Sequence, residues 1–411
     1  MEGMIAAIKQ QAEEANQPLP MPEENLRAML MGVMGDRPFI EGAWMTKHNG
    51  KYYLQYAIPG TEYNVYGDGV YVSDKPLGPF APANNNPYSY KPGGFINGAG
   101  HGSTLEDKNG DLWHIASMRI SHTMGFERRL GLWKADFDKD GELLCDQRFG
   151  DWPIAMDAKP FDKPDWMLLS YGKPVEVSSG EGAECITDED IRTFWKAETN
   201  RPGEWAELDL GAVYEVHAVQ LNFGDDGLVF DLPEGAEPKN GLDGDRYLDM
   251  VKQPTRWLLE CSCDGENYTV IEDKRNTDTD FAHEYMEFDE AKQIRFLRLY
   301  VEQLPYGQPA CVSGLRVFGK GNGTAPKAAE DVEVNLVSDL DMTVTWTAEK
   351  DANANILWGY APNKLYHSKM IFGAKTGNVG ALVKGQPLYV RVDTFNETGI
   401  TEGEVIPVIN E

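Results

Sequence analysis

The hydrophobic pattern of this chain changes texture along its length and marks three β-rich units. From residue 37 to about 150, strand-length runs such as KYYLQYAI (51–58), GVYVSD (69–74), DLWHIASMRI (111–120) and GLWKADFD (131–138) mix aromatic and β-branched residues with polar ones. Turns such as KNGD and DKDG separate them, a spacing that suits antiparallel meanders of the kind that build propeller blades or sandwiches. The Pro-containing stretch DWPIAMDAKPFDKPDWM follows as an ordered connector. A second set of strand-like runs, WAELDLG, VHAVQLNF, RWLLECSCDG, IRFLRLYV and SGLRVFG, occupies 172–320 and is interrupted by a long loop or lid at 224–254. GKGNGTAPKAAED (319–331) is a linker by composition. Beyond it VEVNLVSD, MTVTWTAE, ANILWGY and LYVRVDTFN predict a small β-sandwich over 330–411. The predicted fold class is therefore all-β, in units 37–171, 172–320 and 330–411. Residues 1–36 read as helical or irregular, and their Met-rich ENLRAMLMGVMG as core or interface filler.

A length of 411 residues is too great for one ordinary core, and 41% hydrophobic against 25% charged residues describes globular domains that bury real cores. With 38 basic and 66 acidic residues the formal net charge is −28, which repels phosphate backbones and anionic lipid and so disfavours nucleic acid and membrane surfaces as partners. Neutral ligands such as sugars meet no such penalty. No apolar run approaches the roughly 20 residues of a membrane-spanning helix, so no membrane insertion is expected. Five cysteines, Cys145, Cys185, Cys261, Cys263 and Cys311, form no repeated CxxC pattern, which argues against a zinc site or a disulfide framework. One bridge from Cys185 or Cys311 to a strand cysteine stays open if the chain works outside the cytoplasm. The N-terminus lacks the basic start, apolar centre and cleavage site of a signal peptide, so the chain reads either as cytoplasmic or as missing its true beginning.

Three clusters could carry chemistry. In the first, Glu41 stands between Phe39-Ile40 and Gly42, with Trp44 following, and a carboxyl beside Trp and Ile would be desolvated in its charged form and suited to donating a proton to a leaving oxygen. The bland alternative is a surface Glu at a turn. In the second, Gly98-Ala99-Gly100-His101-Gly102, glycines on both sides of His101 let the backbone approach a ligand and leave the imidazole uncovered. His114 and His122 lack that context and read as packing. The third is Phe126-Glu127-Arg128-Arg129-Leu130-Gly131, whose adjacent guanidiniums precede a strand, one reaching inward to a carboxylate and the other solvated.

Together and in this order the clusters resemble the catalytic domain of glycoside hydrolase family 43, a five-bladed β-propeller of xylosidases and arabinofuranosidases. The resemblance implies that Glu41, on IEGAWMTKHNGKYYLQYA, is the general acid, with Ala43 in place of the usual Pro. It implies that His101, in GAGHGST, is the histidine at the propeller axis that often binds a metal ion or its waters, and that Arg128 is the family's late arginine, with Arg129 as the alternative. Trp44 is assigned to substrate binding. The segments PLGPF, GHGS and FERRLG are closer still to multidomain members that carry discoidin-like and fibronectin type III-like domains. In an inverting member the carboxylate base and a modulating Asp precede the acid. Here 40 residues lie upstream of Glu41, and Asp36 is too near to serve as that base. The expectation is a partial five-bladed propeller without its base and modulator, prone to aggregate or oligomerise when residues 1–171 stand alone with open sheet edges.

The middle unit resembles a discoidin-like carbohydrate-binding module, through Asp188-Glu189-Asp190-Ile191-Arg192-Thr193-Phe194-Trp195 and the run Gly203–Gly211. That resemblance implies a structural Ca²⁺ held with the help of Asp190 and Thr193, although Gly314 stands where the usual closing Glu would be. Trp195 and Trp205 read as core, and the unit is expected to fold independently. The last unit resembles a fibronectin type III domain, with Trp346 in its core and Tyr389 at the corner position, in a spacer or docking role. The implied fold is thus a partial propeller, a discoidin-like sandwich and a fibronectin type III-like sandwich. The implied function is that of an inverting exo-glycosidase of xylosyl or arabinosyl linkages in plant polysaccharide, periplasmic or secreted. The alternative is a non-catalytic glycan-binding protein.

Overall fold

A computed structural model describes residues 40–58, 66–119, 128–226 and 252–409, together with Lys9, Leu19 and residues 21–25. Most of the Met-rich segment, Asp36, His122, Glu127 and most of the expected 224–254 loop lie outside the described residues. The protein is all-β. Its first unit holds two successive antiparallel meanders. Strands β1 (Glu41–His48), β2 (Lys51–Ile58), β3 (Gly67–Ser73) and β4 (Ala81–Pro82) form one sheet in that order, with β5 (Ser89–Tyr90) also pairing with β3. Strands β6 (Gly100–Glu106), β7 (Leu112–Arg119), β8 (Arg128–Phe137) and β9 (Leu143–Cys145) form the second. Each is the four-stranded up-and-down order of a propeller blade. The alternation in KYYLQYAI places Tyr53 in the core, where Val70, Tyr88, Phe95, Met118, Trp133 and Leu143 join it, and β6 packs across β1, β2 and β3.

In the second unit two long strands, Glu204–Phe223 and His283–Gln303, pair along their length; Cys311–Lys320 flanks the first and Arg256–Ser262 flanks the second. Their register shifts between Asp209 and Tyr214, beside Gly211 at φ +87°, and the sheet encloses one core of Leu208, Val219, Trp257, Leu297, Leu299 and Leu315. Trp195 is fully buried in that core, whereas Trp205 is half-buried. Sequence texture placed this unit's start at 172. The structure moves it upstream, because Met167 and Leu168 pair with Gly319 and Phe318 and the Leu169 amide donates to the Val317 carbonyl. Met167 closes the stretch read as connector and Leu168 and Leu169 fell within the first unit's bounds, because a two-residue strand carries no periodicity. The third unit packs Glu330–Leu336, Met342–Thr347 and Thr376–Val379 against a sheet built on Asn353–Gly359 and Leu388–Phe395, with Trp346 buried between them.

The units interlock. Ile191 of the second enters the core of the first, and Trp152, Leu168, Phe318, Met370 and Phe395 form a cluster drawn from all three. At the seam the Arg316 guanidinium, 1% exposed, donates to both oxygens of Glu189 at 2.8 Å, to Gln220 Oε1 and the Asp151 carbonyl at 2.7 Å, and lies between the Phe95 and Phe318 rings. Lys91, buried as well, completes the network with its Nζ 2.7 Å from Asp151. Burial pushes the Asp151 carboxyl up, but Lys91 and Arg316 outweigh it and hold it below the usual range. Burial keeps Glu189 above that range despite Arg316. The second unit is therefore wedged into the first rather than strung beside it.

Removing one member of such a network strands a buried charge, at a cost of about 3–5 kcal/mol. Glu189→Ala is expected to destabilise the protein by that order in chemical denaturation, and the double variant Glu189→Leu/Arg316→Met by less. A single variant as stable as wild type would show that the seam does not depend on this pair.

Candidate functional site

Glu41 and His101 both sit on β-bulges. The β1–β2 register shifts between Glu41 and Trp44, where Gly42 takes φ +65°, and the β6–β7 register shifts between Gly100 and Ser103, where His101 takes φ +57°. A bulge turns one residue off the pleat, and a non-glycine residue holds positive φ only when its surroundings enforce it. The enforcement here comes from Asp68, 1% exposed on β3, whose two oxygens each accept a backbone N–H at 2.8 Å, from His101 and from Gly102. The facing bulges bring His101 Nδ1 to 3.4 Å from Glu41 Oε1, and the Tyr66 hydroxyl donates to the same oxygen at 2.9 Å. Burial, and then the carboxylate it serves, push the Tyr66 phenol well above its ordinary range, so Tyr66 remains a donor to Glu41.

Arg128 begins β8 at the rim. With His101, Ser117, Arg129 and Leu130 it lines a depression of about 390 Å³ beside Glu41. The structure thus gathers Glu41, His101 and Arg128 at one place. The surroundings of Glu41 differ from the apolar enclosure expected of Ile40 and Trp44. Ile40 is exposed, the Glu41 side chain is one-third exposed, and the groups that bond it are Tyr66 and His101. Trp44 keeps a half-exposed ring while its indole N–H donates to the Thr104 carbonyl at 2.9 Å and ties β1 to β6.

The glycines around His101 also have a different reason from the one inferred. A Cβ on Gly100 would meet the Tyr66 ring at 2.8 Å, and one on Gly102 would meet His114 at 2.4 Å and Asp68 at 2.5 Å. They are small enough to admit these inward groups. His114 is fully buried, stacked near Trp133, with Nε2 3.4 Å from Asp68. Tyr66 and Asp68 escaped sequence reading. Their signal is Tyr66-Gly67-Asp68-Gly69, an acid between two glycines that opens a strand, and a Cβ on either glycine would fall 2.5 Å from Ser89 or Tyr56.

The residues expected to hold calcium do not fit it as they stand. Both Asp190 oxygens accept from Arg192, at 2.7 and 2.6 Å, and the Thr193 hydroxyl donates to Asp188 and to the Asp190 carbonyl. Calcium takes six to eight converging oxygens, and a guanidinium occupies the carboxylate that would lead them. Among the described residues, at His101 or elsewhere, no three acidic, His or Cys side chains converge. All five cysteines are free thiols, and no described helix is long and apolar enough to cross a membrane.

The model of glycosyl hydrolases family 43 matches residues 25–143, which hold both meanders up to the start of β9 and every residue of this site. Over this stretch the chain is glycoside hydrolase family 43-like. The beta-D-galactofuranosidase xynD of Aspergillus niger is 29% identical over 109 residues, 26% of this chain and 31% of that protein. The chain therefore spans about a third of the length of the curated relative it matches. Among solved structures, one described as a glycoside hydrolase covers 69% of this chain and 61% of its own, at 17% identity and TM-score 0.37. CpGH89CBM32-6 of Clostridium perfringens covers 36% of this chain and 94% of its own, at 17% identity and TM-score 0.27.

Two outcomes follow from the packing. Gly102→Ala is expected to destabilise the protein by about 1–3 kcal/mol in denaturant unfolding, the usual penalty for overpacking, since the added methyl would fall on the buried Asp68–His114 pair; no loss would mean that the β6 bulge adjusts freely. A pH effect arises at the seam. His283, bonded to Asn222, is pushed down to about 4 by burial and then by Arg129 and Arg316. A depressed histidine contributes stability that is complete above the unfolded value near 6.5 and is lost as pH falls toward 4. The melting temperature should decline through that window, and His283→Asn should flatten the decline.

Proposed function

We propose that this is a carbohydrate-active protein whose Glu41 site binds a glycosyl unit of plant polysaccharide, in lineage an inverting exo-glycosidase of xylosyl or arabinosyl linkages that works outside the cytoplasm. The observation that carries this reading is the meeting of Glu41 with Tyr66 and His101 on two facing bulges beside Arg128. In this role Glu41 gives its proton to the glycosidic oxygen as the bond to the anomeric carbon breaks. Tyr66 and His101 hold the carboxyl in place, and Arg128 donates to sugar hydroxyls. Single displacement also needs a carboxylate base roughly 6.5–9.5 Å from the acid to activate water. Among the described residues that line the depression none is a second carboxylate, and Asp68 is buried and committed to backbone amides. This favours the second reading for the chain as it stands, a site that holds sugar with little turnover. The second unit would add a carbohydrate-binding module of discoidin type, and the fibronectin type III-like unit would serve as its dock.

The purified chain, assayed on nitrophenyl xyloside, arabinofuranoside and, in view of the fungal relative, galactofuranoside, is expected to release nitrophenol near background. Titration calorimetry with xylobiose or arabinobiose should show binding that His101→Ala weakens by about tenfold or more, the equivalent of one good hydrogen bond to a charged group. Robust release abolished by Glu41→Gln would restore full catalysis to this chain. Absence of binding to any of these sugars would remove the carbohydrate reading.

A further inference from the structure

We propose that the seam between the first and second units is a glycan groove continuous with the Glu41 site, so that a neutral oligosaccharide bound at Glu41 runs on across Arg129 and Leu130 to Tyr285. The inference rests on the proposed function and adds to it the substrate class, an extended chain rather than a short terminal unit. Its basis is that two depressions share a wall. Arg129 and Leu130, which line the depression beside His101, also line a groove of about 390 Å³ at the seam, whose other side is made by Gln220, His283 and Tyr285 with Trp152 below. One wall comes from β8 and the other from the second unit, and the Arg316 network sets their distance.

The chemistry of the walls suits a sugar chain. Leu130, 77% exposed, and Tyr285, 47% exposed, offer apolar surfaces from opposite sides to the C–H faces of pyranose or furanose rings. The Tyr285 hydroxyl donates to Glu287 Oε2 at 3.0 Å, which holds the ring in place. Gln220 lies opposite Tyr285 in the strand register, and because its Oε1 accepts from Arg316, its amide N–H groups are what it can offer a hydroxyl. The buried Trp152 Nε1 has no partner. His283 carries no charge at neutral pH, and the Asp151 carboxylate on the groove floor is already paired with Lys91 and Arg316, so apart from Arg129 the walls offer amide, hydroxyl and apolar contacts of the kind a neutral polyol takes.

Calorimetry with xylobiose and xylohexaose, and with the corresponding arabino-oligosaccharides, tests this on the full chain. The hexasaccharide is expected to bind about tenfold or more tightly than the disaccharide, the gain of one hot-spot contact. Tyr285→Ala should erase that gain, Tyr285→Phe should retain it, and neither should change disaccharide affinity or the melting temperature. Equal affinity for both lengths, or a length gain untouched by Tyr285→Ala, would overturn the groove while leaving the Glu41 site standing. A hexasaccharide whose binding ignores His101→Ala would make the groove a separate site and overturn continuity. Failure of both lengths to bind would overturn the proposed function itself.

Discussion

The relative placement of the units depends on one buried guanidinium. Removing Arg316 from water costs several kcal/mol, and the structure offsets that with two carboxylates, an amide, a carbonyl and two aromatic faces. These partners come from different stretches of chain: Glu189 and Gln220 from the second unit, Asp151 from the connector and Phe95 from the first. No single unit can satisfy the charge. The network therefore ties the completion of the SGLRVFG strand to docking and makes the seam a fixed surface. Domain interfaces within a chain are by default loose, and a desolvated, fully paired charge is a strong reason for this one not to be.

The candidate site follows the same logic on a smaller scale. Two bulges turn Glu41 and His101 toward each other, and each would relax toward regular pairing if nothing opposed it. Asp68 opposes it at β6 by accepting two consecutive amides, and its own burial is made tolerable by those amides and by the facing His114. On the Glu41 side Gly42 supplies the backbone freedom, and its empty Cβ position is where the His101 ring lies, at 3.0 Å. The groups that touch ligand in the proposed reading are thus carried on strands and held by side chains that never reach it, which is how a rigid site is made.

Much of this was legible from residues alone. The alternation in KYYLQYAI and GLWKADFD marked strands that the structure contains, and the three β-rich units lie along the chain in the expected order. Glu41, His101 and Arg128 stood out together, through the order of a Glu-Gly before an aromatic strand, a glycine-flanked His and an Arg pair, none of which carries the reading alone. Trp195 and Trp205 both read as core in the sequence; the first is fully buried and the second half-buried. The reasons attached to some of these residues were less sound. Trp44 and Ile40 do not enclose Glu41, and the glycines beside His101 accommodate Tyr66, Asp68 and His114.

What the sequence determined by itself was local: where strands begin and end, which faces are apolar, and which residues have chemistry out of keeping with a plain surface. Those follow from side-chain period, turn composition and backbone freedom, all short-range properties. The tertiary structure decided which distant groups meet. Tyr66 reaches Glu41 from 25 positions away and Asp68 holds His101 from 33, while Arg316 finds Glu189 across 127 and Asp151 across 165. No periodicity encodes such pairings, because each depends on strand register and on docking. The calcium expectation turned on a local contact instead: Asp190 lies in the anticipated motif, and its carboxylate accepts from Arg192, two residues away, once the turn closes.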